Sequence, residues 1–225
     1  VLANQSRIYL TLIRRHWPNG PFAARDLAVA AVAFAVSRKL TNATCYIVSV
    51  TSKDVVELYE ELARLDVEIW IDGGWGVDAL LGRQTRHHKD LDIAIQQKDL
   101  PAFHNLLEQN GYTETRLEDA KPWNFVLADR NAREVDVHVI VLDADGNGLY
   151  GPIEKGVMYP AASLTGTGTI DEHPVRCISP EWMVKFHSGY ELEEKDFKDV
   201  LALCETFGIP LPEEYARGAG SSLPS

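Results

Sequence analysis

Cysteine is scarce. Cys45, Cys177 and Cys204 are the three in 225 residues, widely spaced and in no CxxC arrangement. That excludes a disulfide framework and a clustered zinc site, and it fits a reducing compartment. HExxH spacing is also absent, which argues against a zinc hydrolase built on His88, His138 and the aspartates. Long apolar runs are missing. Leu27 to Val36, ten residues, is too short to cross a bilayer, so no membrane partner is expected. Acid is nearly absent from residues 1–49, where Asp26 faces six Lys/Arg. The remainder carries sixteen basic against thirty-two acidic residues, and the whole chain is −11. An acidic body argues against a duplex nucleic-acid platform and favours a cationic or metal-bound small substrate.

The basic first stretch stands apart from the rest. Arginines ahead of Leu27 and the triplet Ala33-Phe34-Ala35 have the look of a targeting peptide. The basic region is long for one, however, and the apolar run is short and Ala-rich. Residues 1–50 are therefore expected to be an upstream extension outside the fold. The chain's 45% hydrophobic content suffices for a sizeable core in the remaining residues.

Thr51-Ser52-Lys53-Asp54 has capping-box form and opens a helix to about Leu65, with Val55, Leu58, Tyr59, Leu62 and Leu65 at helical spacing. Val67 to Ile71 reads as a short buried strand closed by a glycine pair. Trp75 to Leu81 supplies a helix stopped by Gly82. Asp99 and Pro101 open another that runs to Asn110, with Leu100, Phe103, Leu106 and Leu107 inward and His104 at the surface. Strands are expected over 112–117, 123–128 and 134–142, the last two joined as a hairpin through Asp129-Arg130-Asn131. Residues 151–170 read as a long connection with a short strand near 157–159, and 174–178 as the last strand. Ser179-Pro180 is an N-cap followed by a first-turn proline, and a second terminal helix covers 191–207. The expected division is therefore a domain over 51–178, a helical region over 179–216 and a flexible tail over 217–225.

Asp143 to Gly148, with Glu154, matches an EF-hand loop pattern. A strand leads in rather than a helix, and Pro152 and Gly156 discourage the helix needed on the far side. A plain Asp/Asn/Gly turn is the expectation.

The chemistry concentrates at Ile71-Asp72-Gly73-Gly74-Trp75-Gly76-Val77-Asp78 and at Asp90-Leu91-Asp92-Ile93-Ala94-Ile95. Two glycines at a strand end let backbone N–H groups approach an anion, and a helix starting there adds its positive end. In the second segment Asp90 and Asp92 share a strand face, roughly 6–7 Å apart at Cα from the ~3.3 Å rise. Paired carboxylates on a rigid strand suit Mg²⁺, which keeps positions for water and phosphate. In Glu134-Val135-Asp136-Val137-His138-Val139, the polar residues share a face. Taken alone this is a solvent-facing edge. Beside the upstream signals, Asp136 reads as a third carboxylate facing the pair. Met183, Phe186 and Tyr190 read as core stripe, while Lys185, His187 and Lys195 stand where they could reach a triphosphate.

These segments, with Leu81-Gly82-Arg83-Gln84-Thr85-Arg86 and His88, resemble antibiotic nucleotidyltransferases, the lincosamide group first and the aminoglycoside 2''-adenylyltransferases close behind. Cys177-Ile178-Ser179-Pro180, Phe186-His187-Ser188-Gly189-Tyr190 and Glu194-Lys195-Asp196 resemble the C-terminal part of the lincosamide group. The resemblance runs from about residue 52 to about 210. It implies an α+β, polymerase-β-like nucleotidyltransferase fold, a mixed sheet with flanking helices, followed by a small helical region. It implies that Gly73 and Gly74 hold a triphosphate, with Arg83, Arg86 and Lys195 as phosphate partners. Asp90 and Asp92 would bind Mg²⁺, and Asp136 would act as general base and touch a second metal. ATP or another nucleoside triphosphate is then the co-substrate, and a cytoplasmic location is implied with it. The expected acceptor is a small antibiotic, lincosamide first. A second copy of the chain is an open alternative to a monomer, and no nucleic acid is expected. An aminoglycoside acceptor and a catalytically silent, antitoxin-like nucleotide-binding module are the competing readings. The three aspartates argue against the silent one.

Overall fold

The computed structural model describes residues 49–115, 121–152 and 157–219. The expected extension lies outside them except for its last two residues. Val50 is buried, and its backbone bridges that of His88.

Helix α1 (Ser52–Ala63) starts at the capping box read from sequence: Asp54 N–H donates to the Thr51 hydroxyl, and Thr51 N–H to the Asp54 carboxylate. It ends two residues early, so Leu65 is left exposed rather than on the core stripe. Strand β1 (Ile69–Ile71), helix α2 (Gly73–Leu81) and strand β2 (Asp90–Gln96) come next. A 3-10 turn, Gln97–Asp99, precedes helix α3 (Leu100–Gln109), so Asp99 has helical backbone and makes no side-chain cap. Then come β3 (Thr113–Thr115), β4 (Asn124–Ala128), β5 (Glu134–Leu142), β6 (Gly148–Tyr150) and β7 (Val157–Tyr159). Strands β8 (Gly166–Ile170) and β9 (His173–Cys177) form a hairpin. Helices α4 (Pro180–Phe186), α5 (Glu194–Phe207) and α6 (Glu213–Ala219) close the chain.

The strands form one mixed sheet in the order β3-β4-β5-β2-β1-β9-β8, with β6 paired to β5 and β7. Pairing is parallel between β2 and β5 and between β1 and β9, and antiparallel between β1 and β2. Period-two alternation divides the side chains. Ile69, Ile71, Leu91, Ile93, Ile95, Val135, Val137 and Val139 bury one face under α1 and α3. Trp70, Ala94 and Ile140 face the other way, against Met183, Val184, Val200 and Leu203 of α4 and α5. Asp90, Asp92, Asp136 and His138 have the parity of this second face. Its polar end is left open for a site.

Four expectations need correction. Residues 166–170 are a strand rather than connection. Gly168 runs so close to α2 that an added Cβ would stand 2.2 Å from the Ala79 carbonyl oxygen, so its weak strand composition reflects crowding. Ser179 precedes α4 but its hydroxyl makes no cap bond and is buried without a partner. The second terminal helix starts at Glu194, capped reciprocally by Glu193 and Asp196. Helix α6 covers residues 217–219, which were expected in the tail; the rest of that tail lies outside the described residues. Buried Tyr215 anchors α6 by packing on Phe197 and donating its hydroxyl to the His187 carbonyl. The segment at 143–148 is a turn between β5 and β6: Asp143 Oδ1 accepts from the N–H groups of Asp145 and Asn147. Glu154, the last EF-hand position, lies outside the described residues.

Candidate active site

Asp72 caps α2, its carboxylate accepting from Gly73 N–H at 2.8 Å. The helix therefore begins on the glycine pair itself, earlier than Trp75. Gly73 has φ +53°, and a Cβ there would sit 2.1 Å from Asp92 Oδ2. Only glycine lets this backbone turn sit against the carboxylate strand. At Gly74, a Cβ would meet His88 Nδ1 at 2.3 Å and Arg86 Nη2 at 2.6 Å. The glycine pair is thus walled by Asp92 on one side and by a cationic loop on the other.

That loop is held from beneath. Asp78 of α2 accepts from Thr85 N–H and hydroxyl and pairs with buried His88 at 2.5 Å. Arg86 reaches across to Asp199 of α5 at 3.0 Å.

Asp92 and Asp136 are direct register partners between β2 and β5. Among the described residues, Asp92, Asp136 and His138 can present ligand atoms within 4.8 Å of one another. Asp90 shares their face but pairs in register with Glu134 and lies outside that group. Burial, then the charges of Asp90 and Asp72, push the Asp92 carboxyl up to about 7. Asp136 is also raised, by burial first, although His138 works against it. Such crowding is what a divalent cation relieves. Two carboxylates with Asp90 nearby suit a hard oxygen-seeking ion, whereas the His138 nitrogen suits Mg²⁺ less.

Behind this cluster lies a network that sequence reasoning missed. The Tyr159 hydroxyl donates to Asp72 Oδ2 at 3.2 Å, and its oxygen accepts from His138 Nδ1 at 2.8 Å. His138 Nε2 then points to Asp136, 3.8 Å from Oδ1. Burial opposes ionisation of Asp72, yet His138, Gly73 N–H and Tyr159 together hold it below its ordinary value. His138 itself is raised despite burial, because Asp72 and Asp136 favour its cation.

A cavity of about 480 Å³ opens over the cluster, with Asp72, Gly73, Asp92 and His138 as its floor. Tyr150, Tyr159, Phe186 and Tyr190 supply aromatic walls, and Lys185, held over the Trp182 ring at 4.1 Å, supplies a cation. Phe186 and Tyr190, expected as core stripe, are wall instead, since α4 ends at the cavity rim. His187 lines it too. Lys195 pairs with Glu193 at 3.0 Å near Arg86 and does not line the cavity. Arg83 lines a separate depression with Ser52, Gln84 and Thr169 that shares no residue with it. The parity of His138 with Asp136 was a signal available in sequence; Tyr150 and Tyr159 offered none.

The family model described as aminoglycoside-2''-adenylyltransferase matches residues 54–203. A lincosamide resistance protein of Staphylococcus haemolyticus is 31% identical over 153 residues, 68% of this chain and 93% of that one. A 2''-aminoglycoside nucleotidyltransferase of Klebsiella pneumoniae is 43% identical over 44 residues, 18% of this chain and 25% of that one. A lincomycin-bound crystal structure of a lincosamide antibiotic adenylyltransferase superposes with TM-score 0.62 at 29% identity, covering 72% of this chain and 99% of that chain. A second neighbour, a 2''-aminoglycoside enzyme in complex with adenylyl-2''-tobramycin, has TM-score 0.57 at 21% identity and covers 73% and 92%. The fold is that of the polymerase-β-like nucleotidyltransferases: a mixed sheet with flanking helices and, after it, a small helical region.

Proposed function

Since the chain belongs to the aminoglycoside-2''-adenylyltransferase family, we propose that it moves a nucleoside monophosphate, AMP from ATP, onto a hydroxyl of a lincosamide antibiotic. The observation that carries this is the pairing of Asp92 with Asp136 beside a glycine-walled helix start, with Asp92 on the floor of a cavity large enough for a small acceptor.

In this reading the triphosphate lies against Gly73 and Gly74, where close backbone and the helix dipole favour anions. Asp92 and Asp136, with Asp90 beside them, would hold Mg²⁺, which when bound neutralises charge on the phosphates. Asp136 takes the proton of the acceptor hydroxyl, whose oxygen attacks the α-phosphorus in line. Pyrophosphate leaves as that P–O bond breaks. Positioning and charge neutralisation supply most of the acceleration in phosphoryl chemistry, and a general base adds about 10²–10⁴-fold. A location where nucleoside triphosphate is abundant, the cytoplasm, goes with that chemistry.

The cavity walls favour a lincosamide over an aminoglycoside. Among the described residues, no carboxylate beyond Asp72 and Asp92 on the floor lines it, while aromatic rings and Lys185 do. A polycation would need several acidic partners there, and an amphiphilic acceptor with one amine would not. The likeness to the staphylococcal protein across nearly its whole length agrees.

The test is pyrophosphate release with Mg-ATP against a panel of lincosamides and aminoglycosides, with the mass of each product. A gain of one nucleoside monophosphate on a lincosamide is expected. A gain on aminoglycosides alone would reassign the acceptor, and no gain on any compound would overturn the reading.

A further inference from the structure

Two buried acids on α5 lie one helical turn apart and do different things. Asp196 is 4% exposed and Asp199 2%. Burying a carboxylate is costly unless it is paired, and an apolar pair of similar shape commonly packs as stably. Neither acid is needed simply to fill space.

Asp199 is too far into the helix to cap it. Its partner is Arg86, 113 residues away in sequence, through Nη2 at 3.0 Å. The guanidinium offers five donors in a fixed plane, so anchoring one end orients the others. That same Nη2 stands 2.6 Å from where a Gly74 Cβ would be, and Nε is buried without a partner. Lys195, one turn earlier on α5, is near enough to feel the charge of Arg86. A positive edge is thereby fixed beside the start of α2.

Asp196 uses one oxygen as a helix cap, accepting from Glu193 N–H at 2.7 Å. Its other oxygen accepts from the Tyr190 hydroxyl at 3.3 Å. Tyr190 is half exposed and lines the cavity. An exposed ring on the Gly189 turn would swing freely without that tether.

We infer that α5 positions the two substrates separately: Asp199 sets the phosphate side through Arg86, and Asp196 sets the acceptor side through Tyr190. Both are positioning residues rather than catalytic ones. The inference rests on the transferase reading above.

Steady-state kinetics with Mg-ATP and lincomycin test it. Asp199→Asn should raise the KM for ATP roughly ten- to hundred-fold, the scale of one charged hydrogen bond, and move the KM for lincomycin less than about two-fold. Asp196→Asn should do the reverse. The double variants Asp199→Asn/Arg86→Gln and Asp196→Asn/Tyr190→Phe should be no worse than Arg86→Gln and Tyr190→Phe alone, because each pair acts through one contact. Variants that raise both KM values alike, or doubles that add, would overturn the inference. Where an α5 variant does not fold, Arg86→Gln and Tyr190→Phe carry the same split, and loss of it in them is equally decisive. Calorimetric titration of Mg-ATP alone gives a readout free of turnover. A wild-type protein that transfers to nothing removes the underlying reading, whereas active wild type with unsplit KM values removes only this one.

Discussion

Asp92 and Asp136 stand opposite each other across one inter-strand gap of the parallel β2–β5 pair. Neighbouring strands are ~4.8 Å apart, so both carboxylates can ionise comfortably only when a cation joins them.

The Asp92 shift has a sign that can be measured. Its carboxyl titrates near 7 in the metal-free fold against an ordinary 3.8. Between those values the folded chain holds a proton that the unfolded chain has released, so stability falls as pH rises through this window. The metal-free protein should melt lower at pH 8 than at pH 5. Mg²⁺ should narrow that gap, and Asp92→Asn should shrink it without metal. Thermal melts of both proteins at the two pH values decide; an unchanged gap in Asp92→Asn would place the charge crowding elsewhere.

Asp136→Asn keeps the shape of the site and removes its proton acceptor. Turnover should fall by about 10²–10⁴-fold, while Mg-ATP, still held by Asp92, Asp90 and the glycine pair, binds more weakly but measurably. Single-turnover rates beside calorimetric affinity separate the two, and unimpaired turnover would take Asp136 out of the chemistry.

Gly73→Ala meets both a left-handed backbone and the Asp92 carboxylate. The backbone strain alone is about 1–2 kcal/mol, and Asp92 must also move. Both a lower urea midpoint and loss of activity are expected. A fully active, equally stable alanine variant would contradict the close approach.

Tyr159→Phe deletes the hydroxyl bridging Asp72 and His138. Leaving buried polar groups short of a partner costs about 1–3 kcal/mol. Urea denaturation should show that loss, and the catalytic rate should drop as His138 loosens. A rate equal to wild type would make the bridge purely structural.

Arg83 and Arg86 should part company. Arg83→Ala should leave the KM for ATP within about two-fold, since Arg83 lines a different depression, whereas Arg86, also off the cavity lining, stands against Gly74. Arg86→Ala should raise it by roughly ten-fold or more. Equal effects would return Arg83 to the phosphate site.

Much of the site is local in the chain, and that part was readable. Asp90 with Asp92, and Asp136 with His138, declare their shared face through the two-residue period of a strand. The glycine pair after Ile71 marks a close approach of backbone in any fold. Misreadings came where a residue's meaning depended on a distant neighbour. Gly166 and Gly168 look like loop until the end of β9 is laid against the first and α2 against the second. Phe186 and Tyr190 look like core until α4 is seen to stop at the cavity. The hydroxyl of Ser179 looks like a cap, yet the turn forms without it.

Alternation and spacing therefore determined which side chains share a strand face and where the backbone must be bare, because those are consequences of geometry within a few residues. Tertiary structure alone decided that β2 pairs in parallel with β5 in the register that brings Asp92 to Asp136. It alone decided that Tyr159 reaches Asp72 and that Asp199 reaches Arg86. Those contacts join segments tens to more than a hundred residues apart, and packing of the whole sheet against its helices selects them.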